Sequence, residues 1–367
     1  MGYVAMRGGA AAIAAAAAQL DLRRAAGGGE ALAVAAIRDQ LSALVERVAS
    51  EGACWHPDLA ALAIKQAQGD PLEAAFLVRA WRSTRPRLGE TVAHDGGAMR
   101  LVRRISAAFK EIPGGQVLGP TTDYLQRLFR YDLLDEDPAA FQALTRQWLD
   151  LKPEQDAPAD FPKVIATLRA EGLLPPVTPD PGPPFDITRE ALRFPAPRSA
   201  SLATLARGEA GGILALAYST MRGYGMMHPT VAELRVGWLP ILLPHPVTGE
   251  LVEAGEVPIT ECEIVATHGE DERGGKPRFT LGYGCCLGHQ EVKAIAIAML
   301  DRSLMHGFEH GISHPGEDPE FVLMHVDGIE SMGFCAHYKL PHYVTFQADL
   351  DNLRKARRAS ASEAVTT

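Results

Sequence analysis

Cys335-Ala336-His337-Tyr338-Lys339-Leu340-Pro341-His342-Tyr343 gathers two histidines, a lysine and two tyrosines into nine residues. Neutral imidazole is a common metal ligand, and a lysine between two rings can hold an anion near a bound cation. On a regular helix, residues five apart point away from a common face. Pro341 disfavours helical geometry at Leu340, so a turn is expected, and a turn can bring His337 and His342 to one point. Two imidazoles do not close a zinc shell, so water, substrate or a partner chain would complete it. A pair of surface or interface histidines is the plainer reading. His325, in a stretch read as one helix from Phe321 to Met332, is a candidate third ligand or a satisfied core residue.

Thr260-Glu261-Cys262-Glu263-Ile264 is the second candidate. Strand alternation puts Glu261 and Glu263 on one face. Two like charges that close raise the pKa of one of them, which suits general acid work. Two solvated carboxylates on an exposed sheet face are the alternative.

Cations come next. Met99 to Lys110 reads as a helix with Leu101, Val102, Ile105 and Phe109 inward and Arg100, Arg103, Arg104 and Lys110 on the other face. It runs into Ile112-Pro113-Gly114-Gly115-Gln116, a turn whose amides could cradle phosphate or which is simply tight. The Lys-Ser/Thr ending of a P-loop is missing, which excludes that reading.

These groups need elements to position them. Helical spacing is expected over Glu30–Ser50, Asp58–Gln68, Asp70 to Trp81, Pro138–Leu149 and Pro162–Glu171, after a first alanine-rich helix following Gly8-Gly9. Leu174 to Pro184 holds six prolines and reads as a linker. Beyond it Trp238–Leu243, Glu256–Val265 and Arg278–Gly284 read as strands, and Gln290–Leu304 as an amphipathic helix in which Asp301-Arg302 is a surface pair. The fold class expected is α+β: a helical region over 1–172, a proline-rich linker over 173–185, a mixed α/β domain over 186–358 and a disordered tail over 359–367.

The chain has 367 residues, 47% of them hydrophobic and 22% charged, which is enough apolar material for a core and about two domains. A formal net charge of -9 argues against nucleic-acid binding. Five cysteines with no CxxC do not make a disulfide framework and fit a reducing cytoplasm; vicinal Cys285-Cys286 reads as two buried small hydrophobes. No stretch reaches the ~18 apolar residues of a membrane span.

Several segments together resemble one family. They are Arg104-Ile105-Ser106-Ala107-Ala108-Phe109-Lys110 with Ile112-Pro113-Gly114-Gly115-Gln116, Leu214 to Thr220 with Arg222-Gly223-Tyr224-Gly225, Thr260 to Glu263, Gly282-Tyr283-Gly284, Phe321-Val322-Leu323, and His337 to Val344. In this order they are similar to the PhnI family, subunits of the bacterial carbon–phosphorus lyase system. Ala10, Met226-Met227, Thr267-His268 and Cys285-Cys286 depart from the family pattern, and none of these is a residue assigned to chemistry.

The resemblance implies transfer of ribose 5-triphosphate from ATP to methylphosphonate with release of adenine, and purine nucleosidase activity for the chain alone. It implies partners PhnG, PhnH and PhnJ in a core complex, with PhnL. It also implies zinc on His337 and His342, facing PhnJ, with magnesium a candidate companion of the nucleotide. Both sites then fall in the 186–358 domain. Glycosidic cleavage develops positive charge on the ribose, which makes Glu261 and Glu263 the candidate carboxylates. Arg103, Arg104, Lys110, Arg222, Tyr224 and Lys339 are the candidate substrate contacts. A non-catalytic scaffold presenting a metal site to PhnJ is the alternative.

Overall fold

The computed structural model describes residues 9–94, 96–149, 162–177, 182–224, 228–267 and 276–363. Among them are thirteen helices and four strands. In chain order the first helices are α1 (Gly9–Ala25), α2 (Val34–Gln40), α3 (Ser42–Glu51), α4 (Pro57–Gln66) and α5 (Pro71–Ser83). Strand β1 (Arg100–Ile105) follows, then α6 (Pro138–Leu149), α7 (Val164–Ala170), α8 (Arg198–Arg207) and α9 (Ala210–Tyr218). Strands β2 (Thr230–Pro244), β3 (Leu251–Thr267) and β4 (Phe279–Leu287) come next, then α10 (Glu291–His310), α11 (Pro319–His325), α12 (Gly328–His337) and α13 (Tyr343–Glu363). The α+β class expected from the sequence is what the chain adopts. Part of the proline-rich segment, residues 178–181, lies outside the described residues, as do 364–367.

The strands form one antiparallel sheet in the order β1-β2-β3-β4. One face is apolar: Leu234, Cys262, Ile264 and Cys286 pack against Ala294, Ile297, Ala298 and Leu300 of α10, with Leu205, Ile213 and Val322 of α8, α9 and α11 behind them. Gly282 and Gly284 let the helix lie directly on β4. A Cβ at Gly282 would fall 2.2 Å from the Ala298 carbonyl oxygen, and one at Gly284 2.0 Å from that of Ala294. A second core joins α2 to α5 through Ile37, Val48, Ala60, Ile64 and Val78. On the other face of the sheet, α7 lays Val164, Ile165 and Leu168 on Ala232 and Val265.

Local chemistry explains most boundaries. Asp70 accepts hydrogen bonds from the Leu72 and Glu73 amides, at 2.9 and 3.1 Å, and Pro71 starts α5, a pairing of cap and first-turn proline that suits a helix start. The helix expected over Glu30–Ser50 is two, because Leu41 leaves helical geometry (φ -118°, ψ 38°). The helix expected over Phe321–Met332 is also two: Asp327 adopts extended geometry and caps α12 through the Ile329 amide.

Two expectations are corrected. Residues 100–105 are the edge strand β1, not part of a helix. A β-bulge between Leu101 and Arg103 breaks the alternation, so apolar Leu101, Val102 and Ile105 fall at spacings that mimic a helix. Asp301 and Arg302 are not a surface pair: both are buried, Asp301 against Arg198 (2.6 Å) and Arg302 against Glu309 (2.6 Å).

Candidate functional site

The second face of the sheet carries a layer of buried charge. Register places Arg235 opposite Glu261 and Glu233 opposite Glu263, with Arg104 beside Arg235 and Tyr283 beside Glu263. Arg235 grips Glu261 through Nε (3.0 Å to Oε2) and Nη2. Arg104 donates from Nε to Glu233 Oε1 at 2.5 Å, and the Val164 amide donates to Glu233 Oε2 at 2.8 Å. Lys163, entering just before α7, spans the two carboxylates, at 2.8 Å from Glu261 Oε1 and 3.1 Å from Glu263 Oε1. The Tyr283 hydroxyl donates to Glu261 at 3.0 Å.

The two glutamates titrate differently for visible reasons. Burial would raise Glu261, but Arg235 and Lys163 outweigh it and hold its carboxyl below the usual range. Burial pushes Glu263 up to about 7, and the neighbouring Glu261 and Glu233 charges outlast the help from Lys163. Its Oε2 is buried with no hydrogen-bond partner among the described residues. Two carboxyl groups driven apart in this way can divide acid and base roles. They sit on one face of β3, but that face is interior, not solvated.

The two arginines expected to hold phosphate are committed elsewhere. Arg103 and Arg104 are neighbours on a strand, so they point to opposite faces, and both are buried. Arg103 binds Asp123 (2.5 Å), Glu291 at the start of α10 (2.6 Å) and the Leu118 carbonyl. Arg104 also takes the Pro113 and Gly115 carbonyls, so the glycine-rich turn points acceptors inward at a guanidinium. Lys110 and Lys339 are exposed in turns, and Arg222 is exposed in a π-helical turn over Ser219–Gly223. Tyr224 stacks on His314, with centroids 4.4 Å apart and planes at 10°.

His337 closes α12 and His342 precedes α13, with a turn between them. Their ring centroids are 5.6 Å apart. His337 Nδ1 donates to the Phe334 carbonyl, and His342 Nδ1 to that of Leu340 at 2.6 Å. A carbonyl can only accept, so in each neutral ring the lone pair is on Nε2, the arrangement that orients a metal-ligating histidine. Imidazole Nε2 is a donor of the kind zinc takes. His325 does not join the pair: its Nδ1 is on the Phe321 carbonyl at 2.6 Å, and no group of three potential ligands forms among the described residues.

The thiols Cys54, Cys262, Cys285, Cys286 and Cys335 are free, and burial pushes Cys285 up to about 12 and Cys286 up to about 11. Sequence reasoning missed Lys163, Arg235 and Tyr283. A signal existed: Glu233 and Arg235 alternate on β2 as Glu261 and Glu263 do on β3.

A family profile described as Bacterial phosphonate metabolism protein (PhnI) matches residues 2–360. A Stutzerimonas stutzeri protein provisionally named C-P lyase subunit protein HtxH is 60% identical over 365 residues, 99% of this chain and 98% of its own. Two relatives are named alpha-D-ribose 1-methylphosphonate 5-triphosphate synthase subunit PhnI. The one from Escherichia coli is 44% identical over 97% of this chain and 98% of its own, and the one from Rhizobium meliloti 41% over 97% and 95%.

Proposed function

Because the chain belongs to the PhnI family, we propose that it is a carbon–phosphorus lyase subunit that moves ribose 5-triphosphate from ATP onto methylphosphonate and releases adenine. The observation that carries this reading is the near full-length identity to two relatives named as subunits of that synthase. Acting alone, the chain would transfer the same group to water as a purine nucleosidase. PhnG, PhnH, PhnJ and PhnL are the proposed partners and the cytoplasm the proposed location. No helix among the described residues is long and apolar enough to cross a membrane.

The bond that breaks joins the ribose anomeric carbon to adenine, and its electron pair leaves with the base. The bond that forms joins the same carbon to a phosphonate oxygen. ATP is a β-nucleoside and the product named for the relatives is α, so the carbon inverts. Inversion needs one displacement and no covalent sugar–enzyme intermediate. An ionised carboxylate stabilises the oxocarbenium-like transition state, and Glu261 is the one held ionised. The base needs a proton, and Glu263, at about 7, is the carboxyl able to hold one near neutrality. Both lie beneath Lys163, so this role requires that Lys163 move aside.

His337 and His342 would hold zinc through Nε2, the charge then anchoring an anionic oxygen of substrate. Lys339, Lys110, Arg222 and Tyr224 are the exposed groups left to meet substrate or partner. Magnesium would travel with the nucleotide.

A scaffold reading has its own support. Glu261 already accepts from three side chains, and both carboxylates are buried at 4% and 3% exposure. Adenine release from ATP by the purified chain separates the two readings, with E261Q and E263Q as variants. Formation of the ribose methylphosphonate triphosphate with partner subunits then separates transfer from hydrolysis. Release at wild-type rate by both variants makes the pair structural; no release by any form leaves the scaffold.

A further inference from the structure

The last turn of α10 carries two histidines at i and i+4, His306 and His310, with Gly307, Phe308 and Glu309 between them. That spacing sets two side chains one above the other on a single helix face. Their ring centroids are 4.7 Å apart, with planes at 43°. His306 is 26% exposed and His310 41%, so both rings reach solvent.

A buried carboxylate stands behind the pair. Glu317, 1% exposed, places Oε1 2.7 Å from His306 Nδ1. Its Oε2 accepts from the Ser313 amide and the Ser313 hydroxyl, each at 2.7 Å. Donors converging on both oxygens favour the ionised form, which only accepts. His306 Nδ1 is therefore the donor, and the lone pair of the neutral ring is on Nε2. Gly307 makes the approach possible: a Cβ there would fall 2.5 Å from the Glu317 carbonyl oxygen. His314 lies on the same carboxylate but is spent. The Gly316 amide donates to its Nδ1 at 3.1 Å, so its proton is on Nε2, 3.4 Å from Glu317 Oε1. Its ring is covered by Tyr224.

A carboxylate on the far nitrogen is the arrangement that fixes the tautomer of a metal-ligating histidine and raises its basicity. Two histidines four apart on one helix face are a zinc-binding spacing. We propose that His306 and His310 form a divalent-metal site of their own, suited to zinc, with Glu317 as the positioning carboxylate. No group of three potential ligands forms among the described residues, so the shell is open and water or a partner donor completes it. Glu309 and Glu317 both favour a cation here, offset in part by Arg302, which holds Glu309 at 2.6 Å. The site uses neither the carboxylate layer of the sheet nor His337 and His342, and it does not depend on the nucleotide reading.

The test is calorimetric titration of Zn(II) into the full chain carrying H337A and H342A, which removes the other histidine pair. One zinc should bind. E317Q added to that background keeps the shape of the side chain but loses its charge, and should weaken binding about 10–100-fold. H306A or H310A should weaken it further than that, and the two together should abolish it. Thermal unfolding without zinc shows which variants are folded. If E317Q melts early, H310A decides, because it trims an exposed side chain at the helix end. Undiminished zinc binding after loss of both His306 and His310 overturns the site, as does a folded H337A/H342A chain that binds no zinc. Unchanged affinity in a folded E317Q overturns the role of Glu317.

Discussion

Replacing Glu263 by glutamine isolates one titration in the buried layer. The folded carboxyl sits at about 7 against an ordinary 4.5, because burial and neighbouring carboxylates disfavour its charge. At ~1.36 kcal/mol per decade of proton affinity, that difference is worth about 3 kcal/mol. The folded chain holds the proton more tightly than the unfolded one. The stabilisation is therefore complete below pH 4.5 and is lost as pH rises through about 7, most of it between pH 5 and pH 8. Glutamine keeps the shape, keeps an acceptor for Lys163 and carries no charge. Wild type should lose stability relative to E263Q as pH rises, by about 2–3 kcal/mol across that window. The assay is chemical denaturation followed by tryptophan fluorescence, on both proteins at pH 5, 6, 7 and 8. Parallel stability profiles would refute the reasoning, and a gap that grows in the opposite direction would show Glu263 to be ionised throughout.

Glu261 should behave differently from its neighbour. E261Q strips charge from the partner of both Arg235 and Lys163 and is expected to cost about 3–5 kcal/mol at neutral pH, read by the same denaturation. H337A or H342A should lower zinc content in the assembled complex with little change in thermal unfolding; full zinc in both variants would remove the pair from metal binding. G284A forces a Cβ against the Ala294 carbonyl and should destabilise by about 1–3 kcal/mol, and a neutral effect would mean α10 sits farther from β4.

What the sequence made legible follows the physics of its patterns. The C-terminal strands and α10 were readable because period-2 and period-3.6 hydrophobicity survive there. β1 was not, because its bulge disguises a strand as a helix. β2 was read only from Trp238 onward, since Glu233 and Arg235 look like surface residues until a charged layer is known to be interior. Glu261 and Glu263 could be paired from spacing, but Lys163 stands 98 and 100 residues away and no local rule connects them.

The glycine pair on β4 has a mechanical consequence. Gly282 and Gly284 are two strand residues apart, about 6.7 Å, and they receive carbonyls of Ala298 and Ala294, about one helical turn apart. The helix thus engages the strand like a rack on a pinion with two teeth in mesh. A one-residue shift of α10 would bring Ile295 and Met299, or Lys293 and Ile297, to the two positions where Ala294 and Ala298 now meet the strand. The sheet and α10 must travel as one block, carrying Arg103 with them through Glu291. Any opening that exposes Glu261 and Glu263 is left to the cover on the opposite face, where Lys163 and α7 lie. Amide exchange should then be slowest across β4 and α10 and faster in α7.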